Sequence, residues 1–127
     1  MYKDSYYIIG VMSGTSLDGV DLCYASYKFD EKWEYKIINT LTYNYSNKWK
    51  NRLLNSISLN KQDLKSLDLD YTNLLSLYIQ DFISKFNIDR IDSISSHGHT
   101  ILHQPQKNIT YQIGNLPSLS KNLNINV

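Results

Sequence analysis

The sequence predicts a mixed α/β domain in which an antiparallel meander of three strands precedes two helices and a strand that returns to the sheet. Runs of β-branched and aromatic residues lie within residues 6–43, and a helical periodicity replaces them from residue 47 to residue 86. A short apolar run over residues 91–95 completes the pattern. With 127 residues and a hydrophobic fraction of 42%, the chain can bury one compact core.

Three segments predict the meander. Residues 6–12 are apolar and aromatic and end at a cluster of Ser, Gly and Thr, which indicates a buried strand that enters a turn. Residues 22–29 alternate with a period of two, as the two faces of a sheet require. After three polar residues, residues 33–43 are rich in Trp, Tyr, Ile and Thr, which favour a pleated surface.

Two helices are predicted next. Apolar residues three or four apart indicate a short amphipathic helix over residues 47–58. A longer stripe of the same spacing predicts a second helix that Asn60 caps and that ends near Asn87, with Asp63 in its first turn. Beyond the returning strand we expect a loop at residues 96–105, a strand at residues 110–113 and the opening of another strand at residues 122–127.

Composition excludes several classes of protein. The formal net charge of +1 provides no field for nucleic acid or an anionic membrane surface, so neither is expected as a partner. The single Cys23 cannot form an internal disulfide and is expected to act as a small buried hydrophobe. Because no long apolar run and no signal peptide are present, the sequence predicts a cytoplasmic protein.

The first candidate site is the turn that follows the first strand. Its glycines, Gly14 and Gly19, let the backbone turn tightly and present amide N–H groups, and the Ser and Thr hydroxyls suit phosphate oxygens. Its carboxylates, on Asp18 and Asp21, could hold Mg²⁺ through water. An ordinary hairpin turn has the same composition. Neither a Walker A lysine nor a GxGxxG pattern is present.

The second candidate site contains all three histidines of the chain, His97, His99 and His103. If the strand at residues 91–95 continued, the first two would face one side and could bind zinc together with the third, as in a zinc hydrolase. Neutral imidazoles that form hydrogen bonds are the alternative, and a donor-rich loop of this kind also suits a polyhydroxylated ligand.

Both sites resemble one family. Residues 9–21 (IGVMSGTSLDGVD) and residues 96–105 (SHGHTILHQP), followed by YQIG at residues 111–114, resemble in order the N-terminal motifs of the anhydro-N-acetylmuramic acid kinases. The resemblance spans most of the chain and less than half of a family member. It differs at two positions, because the family often has Gln at His99 and an acidic residue at Asn115.

The resemblance implies a sugar kinase of the actin and hexokinase type, with residues 1–127 as the N-terminal, ribonuclease-H-like lobe of a longer two-lobe protein. It implies that ATP and water open and phosphorylate 1,6-anhydro-N-acetylmuramic acid during cell-wall recycling. The catalytic aspartate is expected beyond Val127, so the isolated chain should be inactive, and a homodimer of the full-length protein is left open. A non-catalytic module of the same fold is the alternative.

The resemblance also assigns roles to individual residues. In the ATP-phosphate turn, Asp18 would face Mg²⁺, whereas the second motif would lie near the sugar. The residues assigned to ATP are Gly14, Thr15, Ser16, Leu17, Asp18, Gly19, Val20 and Asp21, and those assigned to the sugar are His97, Thr100 and His103.

Overall fold

Two sheets and three α-helices make up the part of the chain described by a computed structural model, residues 4–14 and 16–127 without the side chain of His103. The four-stranded sheet has the order β3-β2-β1-β4, and β5 pairs with β6 in a two-stranded sheet. The strands are β1 Ser5–Ser13, β2 Gly19–Asp30, β3 Lys32–Asn44, β4 Ser93–Ser96, β5 His99–Gln104 and β6 Ile109–Ile113, and the helices are α1 Asn47–Leu54, α2 Lys61–Lys85 and α3 Ser118–Leu123.

The predicted meander is confirmed. β1 pairs antiparallel with β2, and β2 pairs antiparallel with β3, with a bulge between Tyr24 and Ala25. The returning strand is confirmed as well, although β4 begins two residues later than predicted, and it pairs parallel to β1. A parallel neighbour needs a crossover connection, which α1 and α2 provide.

The two helix predictions differ in how well they match the structure. Asn60 caps α2 as expected, because its Oδ1 accepts the backbone N–H of Asp63 at 2.8 Å. The first helix ends at Leu54, earlier than predicted. A separate 3₁₀ turn follows at Ser56–Ser58, and the Ser56 hydroxyl there donates to the carbonyl of Leu53 at 2.6 Å.

The core lies between α2 and one face of the four-stranded sheet. Ile9 and Leu22 are fully buried on the sheet, and Leu75, Ile79 and Phe82 are fully buried on the helix. Within the described residues, no helix is both long and apolar enough to cross a bilayer, α2 included.

The C-terminal third departs from the predictions. The prediction of a loop at residues 96–105 is wrong, because this segment contains β5. The strand predicted at residues 110–113 is confirmed as β6, which pairs with β5. The strand expected at residues 122–127 is also wrong. Instead α3, Ser118–Leu123, ends within this segment, because Leu119 and Leu123 lie four residues apart and both pack against the core. The fold therefore has three α-helices in its described part, one more than predicted.

Candidate functional site

The parallel pairing of β1 and β4 brings the two candidate motifs to one edge of the sheet. Val11 pairs with Ser96, and the backbone N–H of His97 donates to the carbonyl of Val11 at 3.1 Å. Parallel strands end at the same edge, and ligands of open α/β sheets bind outside the carboxyl ends of such strands. The turn after β1 and the histidine segment after β4 are thus neighbours.

The turn itself is shorter than the predicted segment and runs from Gly14 to Asp18. Gly14, Ser16 and Asp18 are exposed, whereas Leu17 has a φ of 58° and packs partly against the core. The carbonyl of Asp18 accepts the backbone N–H of Tyr45 at 3.0 Å, which ties the end of the turn to the segment after β3. Thr15 lies outside the described residues.

The other three residues of the predicted segment belong to β2. Gly19 has a structural reason to lack a side chain, since an added Cβ would lie 2.1 Å from the carbonyl oxygen of Tyr43. Val20 is fully buried in the core. Asp21 is exposed, and its Oδ1 accepts the hydroxyl of Thr42 at 2.5 Å.

A cleft of about 550 Å³ opens near the carboxyl ends of β1 and β4, where Met12 and Asp21 lie next to Ser95 and His97. Met12 and Asp21 are paired residues of β1 and β2, and they alternate with the buried residues of both strands. The cleft therefore lies on the face of the sheet opposite the core. Cys23, a partly buried free thiol, also lines this cleft.

The residues predicted to bind sugar do not open into one cavity. His97 lines the cleft beside Asp21, whereas Thr100 lines a smaller cavity of about 260 Å³ next to Leu17. The Thr100 hydroxyl accepts the side-chain N–H of Gln112 at 3.1 Å. The side chain of His103 lies outside the described part of the chain.

A buried chain of hydrogen bonds lies directly behind the turn. The Ser13 hydroxyl is 2.9 Å from the Tyr45 hydroxyl and 2.9 Å from Nδ1 of His99, and the Tyr45 hydroxyl is 2.6 Å from that of Tyr71. All four residues are buried, with exposed fractions of 0% to 7%. Ser13, whose hydroxyl suits phosphate by type, is thus bonded inside the protein.

Burial determines the protonation states of the titratable side chains in this chain of hydrogen bonds. Desolvation lowers the pKa of His99 and raises the pKa values of Tyr45 and Tyr71, so all three groups are neutral near pH 7. Sequence reasoning missed this chain of hydrogen bonds, because its members come from β1, α2, β5 and the segment before α1. Only the residue types, a hydroxyl within one motif and an imidazole within the other, could have suggested it.

The zinc hypothesis depended on a continuous strand through His97 and His99, and that premise is wrong. β4 ends at Ser96, Gly98 turns the chain with a φ of 73°, and His99 begins a strand of the other sheet. His97 is exposed and His99 is buried. Among the described side chains, no three His, Cys, Asp or Glu residues form a group that could hold a metal ion.

Comparison with known proteins identifies the family of the chain. A family model described as anhydro-N-acetylmuramic acid kinase matches residues 6–127. The chain belongs to this family. The motifs quoted from the sequence, which meet at the carboxyl ends of β1 and β4, therefore lie within the matched region, and the resemblance seen in the sequence is confirmed.

Individual relatives show how much of a family member the chain represents. The anhydro-N-acetylmuramic acid kinase of Hahella chejuensis is 35% identical over 98% of this chain and 35% of its own length. The enzyme of the same name from Sulfurimonas denitrificans is 30% identical over 95% of the chain and 34% of its own length. That from Rhizobium johnstonii is 28% identical, again over 34% of its length. The chain thus spans about a third of the relatives that it matches.

Proposed function

We propose that the chain is the N-terminal, ribonuclease-H-like lobe of an ATP-dependent kinase that phosphorylates 1,6-anhydro-N-acetylmuramic acid. The observation that carries this proposal is the placement of the turn Gly14–Asp18 and the His97 segment at adjacent carboxyl ends of β1 and β4. Membership of the anhydro-N-acetylmuramic acid kinase family supports the substrate. The cytoplasm is the compartment that we propose, with a small sugar as partner and neither nucleic acid nor membrane.

The composition and exposure of the turn support a role in binding the triphosphate of ATP with Mg²⁺. Among the described residues, the nearest contact of a Cβ added at Gly14 would be the Ser16 hydroxyl, at 3.6 Å, so the described residues do not crowd this glycine. Ser16 and Asp18 are exposed on the same turn. A hydroxyl and backbone amides suit phosphate oxygens, and an exposed carboxylate suits Mg²⁺ that keeps part of its water shell. Asp18 would hold Mg²⁺, which would neutralise charge on the transferred phosphoryl group.

The proposed reaction couples hydrolysis to phosphoryl transfer. Water adds to C1 of the sugar, the bond between C1 and O6 breaks, and O6 forms a bond to the γ-phosphorus of ATP as ADP leaves. The proton of the attacking water passes to a base, which the family resemblance places beyond Val127. The role of the described residues is to position phosphate and sugar at one edge, since positioning and charge stabilisation supply most of the catalysis in phosphoryl transfer.

A second candidate is a non-catalytic module of the same fold. The two candidates differ in phosphorylation and in nucleotide affinity. A module predicts a folded protein that binds no Mg·ATP, whereas a kinase lobe predicts binding at the Gly14–Asp18 turn.

The test uses the protein at its natural length. With 1,6-anhydro-N-acetylmuramic acid and Mg·ATP, mass spectrometry should detect a product heavier than the sugar by one phosphoryl group and one water. The double variant Gly14→Val, Asp18→Ala should abolish this product, whereas Asp30→Ala, an exposed carboxylate at the other end of β2, should not. Normal phosphorylation by the double variant would refute the assignment of the turn.

A further inference from the structure

The chain of hydrogen bonds behind the turn joins the two motifs. Ser13 is the last residue of β1 and precedes Gly14, the first residue of the turn. His99 is the first residue of β5 and follows the histidine segment that leaves β4. The hydrogen bond between the Ser13 hydroxyl and His99 Nδ1 therefore links the residue before the proposed phosphate-binding turn to the residue after His97 and Gly98.

The number of protons determines the direction of donation in this chain. Three hydroxyl groups bring three protons to three hydrogen bonds, so every proton has an acceptor when His99 Nδ1 carries none. Tyr71 then donates to Tyr45, Tyr45 donates to Ser13, and Ser13 donates to His99. A proton on Nδ1 would add a fourth donor and leave one buried O–H without an acceptor, which is costly.

The surroundings of His99 keep the imidazole in that state. Its ring lies 5.9 Å from the ring of Tyr71, and its exposed fraction is only 3%. Tyr45 and Tyr71, the titratable members of the same chain of hydrogen bonds, are neutral near pH 7, and the carboxylate of Asp68 lies on α2, the helix that also carries Tyr71. Oδ1 of Asp68 accepts the backbone N–H of Gly114 at 2.8 Å. Burial is the cause that lowers the pKa of His99.

We propose that His99 is a positioning residue for the phosphate-binding turn, and that it acts as the neutral acceptor at the end of the chain Tyr71, Tyr45, Ser13. The hydrogen bond from Ser13 to His99 fixes the residue that precedes the turn. Because His99 follows His97 and Gly98 in the chain, the same bond holds the end of β1 next to these residues. This inference rests on the proposed function, because it assumes that the turn binds nucleotide. It adds a pH-sensitive support that touches neither ATP nor sugar.

The test compares three variants of the protein at its natural length. His99→Leu removes the acceptor, whereas His99→Gln keeps an acceptor in its amide oxygen and cannot titrate. Ser13→Ala removes the donor from the other side and replaces His99→Leu as the test if the latter does not fold. Gln62→Leu, a polar-to-apolar change at an exposed position of α2, is the control.

The affinity for Mg·ADP is measured for the wild type and each variant from about pH 5 to about pH 8. The ¹⁵N shifts of the histidine rings are measured in the wild type. We expect an unprotonated Nδ1 for His99 at neutral pH and an affinity that is lost on acidification. His99→Leu and Ser13→Ala should weaken Mg·ADP binding about fivefold, the equivalent of one hydrogen bond. His99→Gln should bind normally and without the acid loss.

The results separate the inference from the function on which it rests. A protonated Nδ1 at neutral pH, or wild-type affinity in both His99→Leu and Ser13→Ala, overturns the positioning role while the nucleotide site stands. A wild-type protein that does not bind Mg·ADP overturns the proposed function, and the positioning role with it. An equal loss of Mg·ADP affinity in Gln62→Leu would also overturn the inference, because the loss would then not be specific to the chain of hydrogen bonds.

Discussion

Gly19 is the position at which the fold leaves the least room, and replacing it by alanine tests how β2 packs on β3. The added Cβ would lie 2.1 Å from the carbonyl oxygen and 2.9 Å from the carbonyl carbon of Tyr43, and 3.0 Å from Cα of Asn44. These are backbone atoms, so no side chain can rotate away and the strands must separate. Overpacking typically costs about 1–3 kcal/mol, and we expect Gly19→Ala to lie near 3 kcal/mol.

The matched control is Gly14→Ala, at the other end of the same turn. There the new Cβ would contact only the Ser16 hydroxyl, at an ordinary distance of 3.6 Å. Its effect on the free energy of unfolding should lie within about 0.5 kcal/mol, as for most exposed substitutions. Urea unfolding followed by circular dichroism measures both variants, and a lower midpoint with an unchanged slope identifies a loss of stability.

Equal midpoints for Gly19→Ala, Gly14→Ala and the wild type would refute the reasoning, because the ladder between Gly19 and Asn44 would then have room for a methyl group. A large loss for Gly14→Ala would refute it in another way. It would mean that the turn, and not the contact between the strands, limits which residues the hairpin accepts.

Three further predictions concern stability. Gly114→Ala should cost about 2 kcal/mol or more in urea unfolding, because φ is 98° and the Cβ would lie 2.8 Å from the Tyr71 ring. Gly10→Ala, with its nearest contact at 4.0 Å, should cost less than about 0.5 kcal/mol, and equal losses would contradict the geometry. Asn60→Ala should cost about 1 kcal/mol in thermal unfolding, whereas Asn60→Asp keeps the cap and should restore stability; no difference between them would contradict the capping role. Because burial lowers the folded pKa of His99 below 6.5, the unfolded chain binds the extra proton, and stability should fall as the pH drops below 6.5. His99→Gln should remove this part of the pH dependence of urea unfolding, and an unchanged dependence would contradict it.

The elements that could be predicted from the sequence are those with a strong local pattern. Period-two alternation identified the meander, and the apolar stripe with an Asn cap identified α2, because these signals come from residues close together in the chain. β5 was not predicted because its only apolar residues, Ile101 and Leu102, stand among polar ones, and because a bulge between Thr100 and Leu102 interrupts its alternation. At residues 122–127 a short alternation indicated a strand, but packing of Leu119 against the core favours a helix just before it.

The candidate site also has a part that local sequence patterns predicted and a part that depends on contacts between distant residues. The turn and the histidine segment could be found from residue types in two short motifs, each of which suggested a ligand on its own. Their meeting at one edge depends on the parallel pairing of Val11 with Ser96, which no local pattern shows. The hydroxyl of Ser13 reaches His99 across 86 positions of the chain, so a buried structural role could not be separated from a phosphate-binding role beforehand.

The neighbouring ends of β1 and β4 have a consequence for how such a site can change over time. Backbone pairing from Ile8 with Ser93 to Val11 with Ser96 sets the spacing between the two loops, and backbone pairing does not depend on which side chains the strands carry. Under the proposed function, substitutions in either loop would alter which ligand binds without altering the distance between the two loops. A deletion of one residue within β1, in contrast, would move the first loop by one position relative to the second and reverse the side of the sheet on which its side chains stand.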